Sequence, residues 1–329
     1  MKSKNTAALC ESGLIDMIRN RFAAKTRSCR VTADIGDDCF CFKSGKENIC
    51  VTKDMLIEDV HFKTDWISAF ELGQKAIEVN ISDIASMGAV KPEYVFIGLG
   101  CPRGLSAAYA EKLFAGFKKS CGKYGAVIAG GDTVKSDKLV ISVTVIGSGA
   151  KSIVKRSGAE NGDFIGVTNT FGDSAAGLAL LTKYGAAHKF DKRQKWLISR
   201  HNAPCARLGE AAKIAKYATS MTDSSDGLYI SAALLTKESR KGANIYAERI
   251  PVSKQLKMYE PDFVKQTKLA LYGGEDFELV FTVHASKAAA VKKAIPSVTY
   301  IGIINNSKKV KYFYNGKEEK TKYCGFSHF

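Results

Sequence analysis

The 329-residue chain contains no Cys-x-x-Cys pair, which removes a zinc site and a thioredoxin-like redox motif from consideration. Its nine cysteines are scattered and odd in number, so buried or half-buried thiols in a reducing compartment are expected. Cys39 and Cys41 alternate with Phe40 and Phe42, as residues of a strand do. No uninterrupted apolar run approaches the length that spans a bilayer; Leu139–Gly147 is only strand-sized. Met1 to Asn20 lacks the charged start, long apolar stretch and small-residue cleavage site of a signal peptide. A cytoplasmic protein without a membrane partner is the expectation.

The common nucleotide and hydrolase signatures are also missing. There is no Gly-x-x-x-x-Gly-Lys-Ser/Thr loop, hence no P-loop. Neither the His-Arg-Asp nor the Asp-Phe-Gly element of protein kinases occurs. Gly98-x-Gly100 is not completed by a third glycine, and no Gly-x-Ser-x-Gly elbow is present. Forty-nine Lys and Arg against 33 Asp and Glu give a net charge of +16. The basic residues are dispersed, without zinc-finger spacing or an aromatic-interleaved RNA signature, so specific nucleic-acid binding is not expected. Such a surface would instead draw in small anionic substrates.

The length favours two domains, and β-rich runs alternate with helical ones, giving an α/β or α+β class. Strands are predicted at Asn48–Lys53, Tyr94–Leu99, Gly125–Ala129, Leu139–Ile146, Phe164–Thr168, Asn244–Arg249, Phe277–Val283 and Val298–Ile304. Helices are predicted at Ala69–Met87, Ser106–Tyr124, Cys205–Tyr217, Leu228–Ser239 and Lys287–Ala294. Gly130-Gly-Asp-Thr133 reads as the turn between two strands, and Gly172-Asp173-Ser174 as a locally capped helix start. The apolar pattern lapses near Gly147–Lys155, which divides the chain into 1–148 and 149–329.

Carboxylates recur in one local context, beside glycine or a small hydroxyl residue at the end of an apolar strand. They are Gly36-Asp37-Asp38, Thr52-Lys53-Asp54, Gly130-Gly131-Asp132-Thr133, Asp223-Ser224-Ser225-Asp226-Gly227 and Gly273-Gly274-Glu275-Asp276. Each alone reads as a turn or cap; five together call for another explanation. Asp83 is the most informative acid. Leu72, Ala76, Val79, Asp83 and Met87 fall on one helical face, the face expected to pack inward. A buried carboxylate is costly unless a cation or several donors meet it; the alternative is that Ser82 or Asp83 caps a second short helix. Gathered carboxylates need multivalent cations to offset their repulsion. Hard oxygen ligands with no histidine cluster favour Mg²⁺, which commonly accompanies substrate phosphates. A nucleotide enzyme of an uncommon fold follows.

Taken in order, these segments resemble the thiamine-monophosphate kinase family, of the superfamily of aminoimidazole ribonucleotide synthetase and selenophosphate synthetase. The pieces are Ile35-Gly-Asp-Asp38, Asp54-Met-Leu-Ile-Glu-Asp-Val-His-Phe62, Asn80-Ile-Ser-Asp-Ile-Ala-Ser-Met-Gly-Ala89 and Gly130-Gly-Asp-Thr133. Arg156-Ser-Gly158, Gly172-Asp-Ser-Ala-Ala-Gly177, Asp223-Ser-Ser-Asp-Gly227 and Gly273-Gly-Glu-Asp-Phe-Glu278 complete the set. The resemblance implies a two-domain α/β fold with an N-terminal domain that binds ATP and Mg²⁺ and pairs its sheet in a homodimer. The C-terminal domain would cover nucleotide and substrate. It implies direct transfer of the ATP γ-phosphoryl group to thiamine monophosphate, the last step of thiamine diphosphate synthesis, with ATP as co-substrate and several Mg²⁺ ions. Asp38, Thr52, Asp54, Asp83, Asp132, Asp223 and Asp226 match its metal positions. Gly131, Asp132, Arg156 and Ser225 match its ATP contacts, and His61, Glu275 and Tyr323 its substrate contacts; none is a covalent nucleophile. Lys53 stands where the family usually has Thr or Ser, and Asp59 replaces a small residue. A sister ATP-dependent synthetase, or a non-catalytic basic protein binding nucleotide or nucleic acid, are the competing readings. The reactive-cysteine setting of selenophosphate synthetase is not found around Cys10 or Cys29, and acids without metal would repel phosphates.

Overall fold

The computed structural model describes residues 11–22, 30–149 and 152–319. In the first part of the chain, strands β1 (Val31–Ala33), β2 (Phe40–Ser44), β3 (Glu47–Ile57), β4 (Lys91–Cys101), β5 (Val127–Lys135) and β6 (Val140–Ser148) form one sheet. Their order is β1-β2-β3-β6-β4-β5, antiparallel except for the parallel β4–β5 pair. Helices α2 (Ala69–Ser86) and α3 (Ala107–Tyr124) pack against it, whereas α1 (Glu11–Phe22) pairs its Arg19 and Asp16 with Glu238 and Lys237 of the later chain.

Ser68 and Glu71 start α2 with a reciprocal capping box. The helix runs unbroken through Ser82 and Asp83, which excludes a second capped helix there. Burial extends all round α2, taking in Lys75, Ile77, Glu78 and Ile81 as well as the Leu72 stripe, because it lies against β3 and β6 on one side and β8, α5 and α6 of the later chain on others. Its crossing with α3 is close enough to require glycine. A Cβ on Gly73 would lie 2.2 Å from the Leu113 carbonyl oxygen, and one on Gly116 2.1 Å from that of Phe70.

The later chain forms a second sheet, ordered β13-β12-β9-β11-β7-β10-β8. Its strands are β7 (Phe164–Val167), β8 (Ala218–Asp223), β9 (Gly242–Tyr246), β10 (Leu279–Val283), β11 (Thr299–Asn305), β12 (Val310–Tyr314) and β13 (Lys317–Glu319). The helices are α4 (Asp173–Tyr184), α5 (Lys192–Asn202), α6 (Leu208–Ile214), α7 (Leu228–Ser239), α8 (Lys254–Tyr259), α9 (Phe263–Tyr272) and α10 (Ala288–Ala294). Every residue of β10 is buried, since separate apolar clusters cover its two faces, one around Val280 and the other around Leu279, Phe281 and Val283.

Three local expectations are corrected. Gly130-Gly131-Asp132-Thr133 is not a turn but the middle of β5, paired residue for residue with Phe96–Leu99. A Cβ on Gly131 would lie 1.9 Å from the Ile97 carbonyl oxygen, so the glycine marks close strand approach. Helix α4 is not capped by its own Asp173 or Ser174. Gly172 occupies the cap position in a left-handed conformation, with no side-chain cap of its own. The Asp276 carboxylate, from the segment before β10, accepts from the Gly172 and Ser174 amides at 2.7 and 3.1 Å. The strand expected at Asn244–Arg249 ends at Tyr246 and gives way to a 3-10 turn.

Candidate active site

The carboxylates scattered in sequence converge where α2 meets both sheets. Asp38 comes from the turn before β2, Thr52 and Asp54 from β3, Asp83 from the last turn of α2, and Asp223 from the end of β8. One carboxylate oxygen from each of Asp38, Asp83 and Asp223 lies within 4.8 Å of the others. Hydroxyls orient them: Thr52 Oγ1 donates to Asp83 at 2.5 Å, Ser82 Oγ to Asp223 at 2.6 Å, and Thr222 Oγ1 to Asp38 at 3.0 Å. The Asp54 amide donates to Asn80 Oδ1 at 3.1 Å. Asp226 is close enough to Asp54 for the two charges to interact.

Crowding and burial oppose ionisation here. Burial, then Asp38, pushes Asp223 up to about 8 even though Ser82 and Arg156 favour its charge. Asp54 rises to about 6 through burial, Asp226 and Asp38. Asp83 is driven well above the ordinary range by burial and then by Asp54, Asp223 and Asp38. The Asp38 side chain is fully enclosed, and its Oδ2 has no hydrogen-bond partner among the described residues. Carboxylates held together against their mutual repulsion, with an orphaned buried oxygen and no nitrogen or sulfur donor in the cluster, fit a hard divalent cation.

Arg156 sits against this cluster. It pairs with Asp38, donates to the Gly36 carbonyl at 3.2 Å, and its backbone amide donates to Asp37 at 3.2 Å. Lys53 does not join it. Strand alternation sends its side chain to the opposite sheet face, where Nζ donates to Ser142 Oγ at 2.7 Å. Asp59 takes a left-handed φ of 66°, a conformation that Asp tolerates.

A cleft of about 730 Å³ opens beside the cluster, with Asp54, His61, Trp66, Ser225, Asp226 and Glu275 in its wall. His61 Nδ1 accepts from the Ile57 amide at 3.1 Å, so the neutral ring carries its proton on Nε2. The Glu275 segment is held by backbone bonds from Glu275 N to Ser225 O at 2.5 Å and Phe277 N to Ser224 O at 3.0 Å. Asp38, Thr52, Asp54, Asp83, Asp223 and Asp226 therefore gather with Arg156, and Ser225, His61 and Glu275 line the adjoining cleft. Gly131 and Asp132 do not gather with them: β5 is the sheet edge, three strand spacings, about 14 Å, from β3. Both are exposed. Tyr323 lies outside the described residues.

Sequence reasoning missed Lys75 and His201 in the cleft wall, and Ser82 and Thr222, which steer the cluster. A charge on a buried helix is as costly for Lys75, only 1% exposed, as for Asp83.

A Thiamine-monophosphate kinase of Aquifex aeolicus is 35% identical over 322 residues, 98% of each chain. The chain belongs to the thiamine-monophosphate kinase family. Its Bacillus subtilis member is 33% identical over 90% of this chain and 92% of its own. The family model for AIR synthase related protein, N-terminal domain, matches residues 36–148. A solved structure described as AaThiL complexed with AMPPCP and TMP superposes with a TM-score of 0.89 at 34% identity, over the whole of both chains. The hydrogenase maturation protein HypE, 20% identical in its complex with HypF at a TM-score of 0.70, shares the fold. Among the described residues no helix is long and apolar enough to cross a membrane.

Proposed function

We propose that this thiamine-monophosphate kinase family member transfers the γ-phosphoryl group of ATP to thiamine monophosphate. A terminal phosphate oxygen of the acceptor forms the new bond to the γ-phosphorus, the bond from that phosphorus to the β–γ bridging oxygen breaks, and ADP leaves. The observation carrying this reading is the carboxylate cluster opening onto a cleft, in a chain that superposes on a relative complexed with the ATP analogue AMPPCP and with TMP. Asp38, Asp83 and Asp223, with Asp54, Asp226 and Thr52 around them, would hold Mg²⁺. When bound it supplies charge neutralisation for two phosphate groups brought together. Arg156 restrains Asp38 and offers the remaining edge of its guanidinium to phosphate oxygens. Ser225 lines the nucleotide side, and His61 and Glu275 the acceptor side. The acceptor oxygen is already ionised near neutral pH, so no side chain has to remove a proton from it.

The division of labour is residues 1–148 for ATP, metal and pairing, and 149–329 as the cover. Two copies would pair through the first sheet. Its outer face and free edge expose Tyr94, Phe96, Val127, Ile128 and Val134, an apolar surface of the kind that marks an interface. Pairing would let a second copy present its Gly131 and Asp132, which are distant from the cluster within their own chain.

Chromatography of thiamine diphosphate formed from ATP, Mg²⁺ and thiamine monophosphate tests the reading. Product is expected only with all three components, and Asp54→Asn and Asp83→Asn are expected to abolish it while leaving the circular dichroism spectrum intact. Folded wild type that binds MgATP yet forms no product would refute it.

A further inference from the structure

Lys75 is among the largest side chains of the described residues with almost no solvent exposure, at 1%. A buried ammonium with nothing to neutralise would be expelled or deprotonated, yet α2 carries this one in the wall of the cleft. Its Nζ donates to the His201 carbonyl oxygen and to the Glu275 carboxylate, both at 3.1 Å. His201, itself buried, places Nδ1 3.0 Å from Glu275 Oε2 and 3.1 Å from Ser174 Oγ. Burial and Lys75 lower its affinity for a proton, so the ring is neutral and donates from Nδ1 to the carboxylate.

Glu275 is held from the other direction as well. Its φ of 64° is left-handed, a conformation that costs about 1 kcal/mol for a residue of this kind and persists only where its surroundings enforce it. The side chain remains 26% exposed, and that exposure is toward the cleft. Burial alone would favour the neutral acid. Lys75 and then His201 outweigh it and hold the group at about 2.

We propose that Lys75, assisted by His201, is a positioning residue for the acceptor: it fixes Glu275 as a directed anionic acceptor toward the organic part of thiamine monophosphate, whose thiazolium is cationic and whose aminopyrimidine donates hydrogen bonds. This rests on the phosphoryl-transfer reading above. The carboxylate cluster handles phosphates and metal, and the Lys75–His201–Glu275 group, about two helical turns from Asp83 toward the start of α2, selects what the phosphate is attached to. Without Lys75 the carboxyl would rotate or take up a proton, losing both charge and direction.

Steady-state kinetics of Lys75→Met and His201→Gln separate this from a merely structural role. Expected for Lys75→Met is a rise of about tenfold or more in KM for thiamine monophosphate, with kcat and KM for ATP changed less than about threefold. His201→Gln keeps the ammonium and is expected to show the same split with smaller amplitude; it decides alone if Lys75→Met does not fold. Unchanged KM for thiamine monophosphate in the folded variants, or equal losses for both substrates, would overturn the proposal while leaving the transferase intact. Wild type that forms no thiamine diphosphate would overturn both.

Discussion

Replacing Asp223 by Asn should make the metal-free protein more stable and at the same time make it insensitive to metal. The Asp223 carboxyl, buried with an oxygen near those of Asp38 and Asp83, has its proton affinity raised from the usual 3.8 to about 8. The native state therefore keeps a proton that the unfolded chain has released, and stability contributed by this site falls as pH rises between about 4 and 8. At about 1.4 kcal/mol per pH unit, the ionised form at pH 8 costs at most roughly 5 kcal/mol. Reorientation of Asp38 and Asp54 in the absence of a cation relieves part of this, leaving an expected gain of ~1 kcal/mol or more for the amide. Asparagine preserves the shape and the bond from Ser82. Asp54 and Asp276 also titrate upward, to about 6 and about 8, so the informative quantity is mutant minus wild type. Urea unfolding with a chelator present, at about pH 5 and about pH 8, should show the difference growing with pH. Adding Mg²⁺ at the higher pH should raise the wild-type midpoint and leave the mutant's nearly unmoved. An Asp223→Asn protein no more stable than wild type at pH 8 without metal would refute the reasoning.

Gly116→Ala should cost ~2 kcal/mol or more in urea unfolding, because its methyl would meet the Phe70 carbonyl at 2.1 Å and force α2 from α3. Glu278 is fully buried between Arg200 and Arg207 and also accepts from Thr168; Glu278→Gln should leave two guanidiniums unneutralised and destabilise by about 3 kcal/mol on the same assay. Ile128→Asp on the free edge of β5 should yield a monomer in sedimentation with turnover strongly reduced, and a variant that still pairs and turns over normally would remove the edge from the interface.

Much of the first sheet and α2 was legible because period-2 and period-3.6 apolar patterns there coincide with what is buried. Helix α5 was not read, since Lys192–Asn202 is mostly polar and only a short part of it is buried; docking against α4 and α8, not its own pattern, gives it a place. The cap of α4 was illegible for a different reason, as the carboxylate that accepts from its first amides lies 104 residues away from Gly172. Gly130 and Gly131 looked like punctuation because glycine signals turns, whereas Gly131 answers a neighbouring strand. The acids that gather could be named from motif and resemblance, and Asp83 from the cost of burying it, whereas Asp132, named with them, lies on the far edge strand. Lys75 lies outside the Leu72–Met87 stripe of α2, so the apolar pattern carried no sign of its burial.

Ser82 and Asp223, whose contact completes the cluster, are 141 residues apart. As the chain leaves the ribosome, Asp38 and Asp83 emerge long before the strand that carries their third companion. The early half alone offers Asp38, Asp54 and Asp83 with no opposing wall, too open a seat for a cation that dehydrates reluctantly. With the metal held as proposed, nucleotide and metal would find no competent seat on the nascent chain, and their binding would report that synthesis has passed β8 and that both sheets have docked.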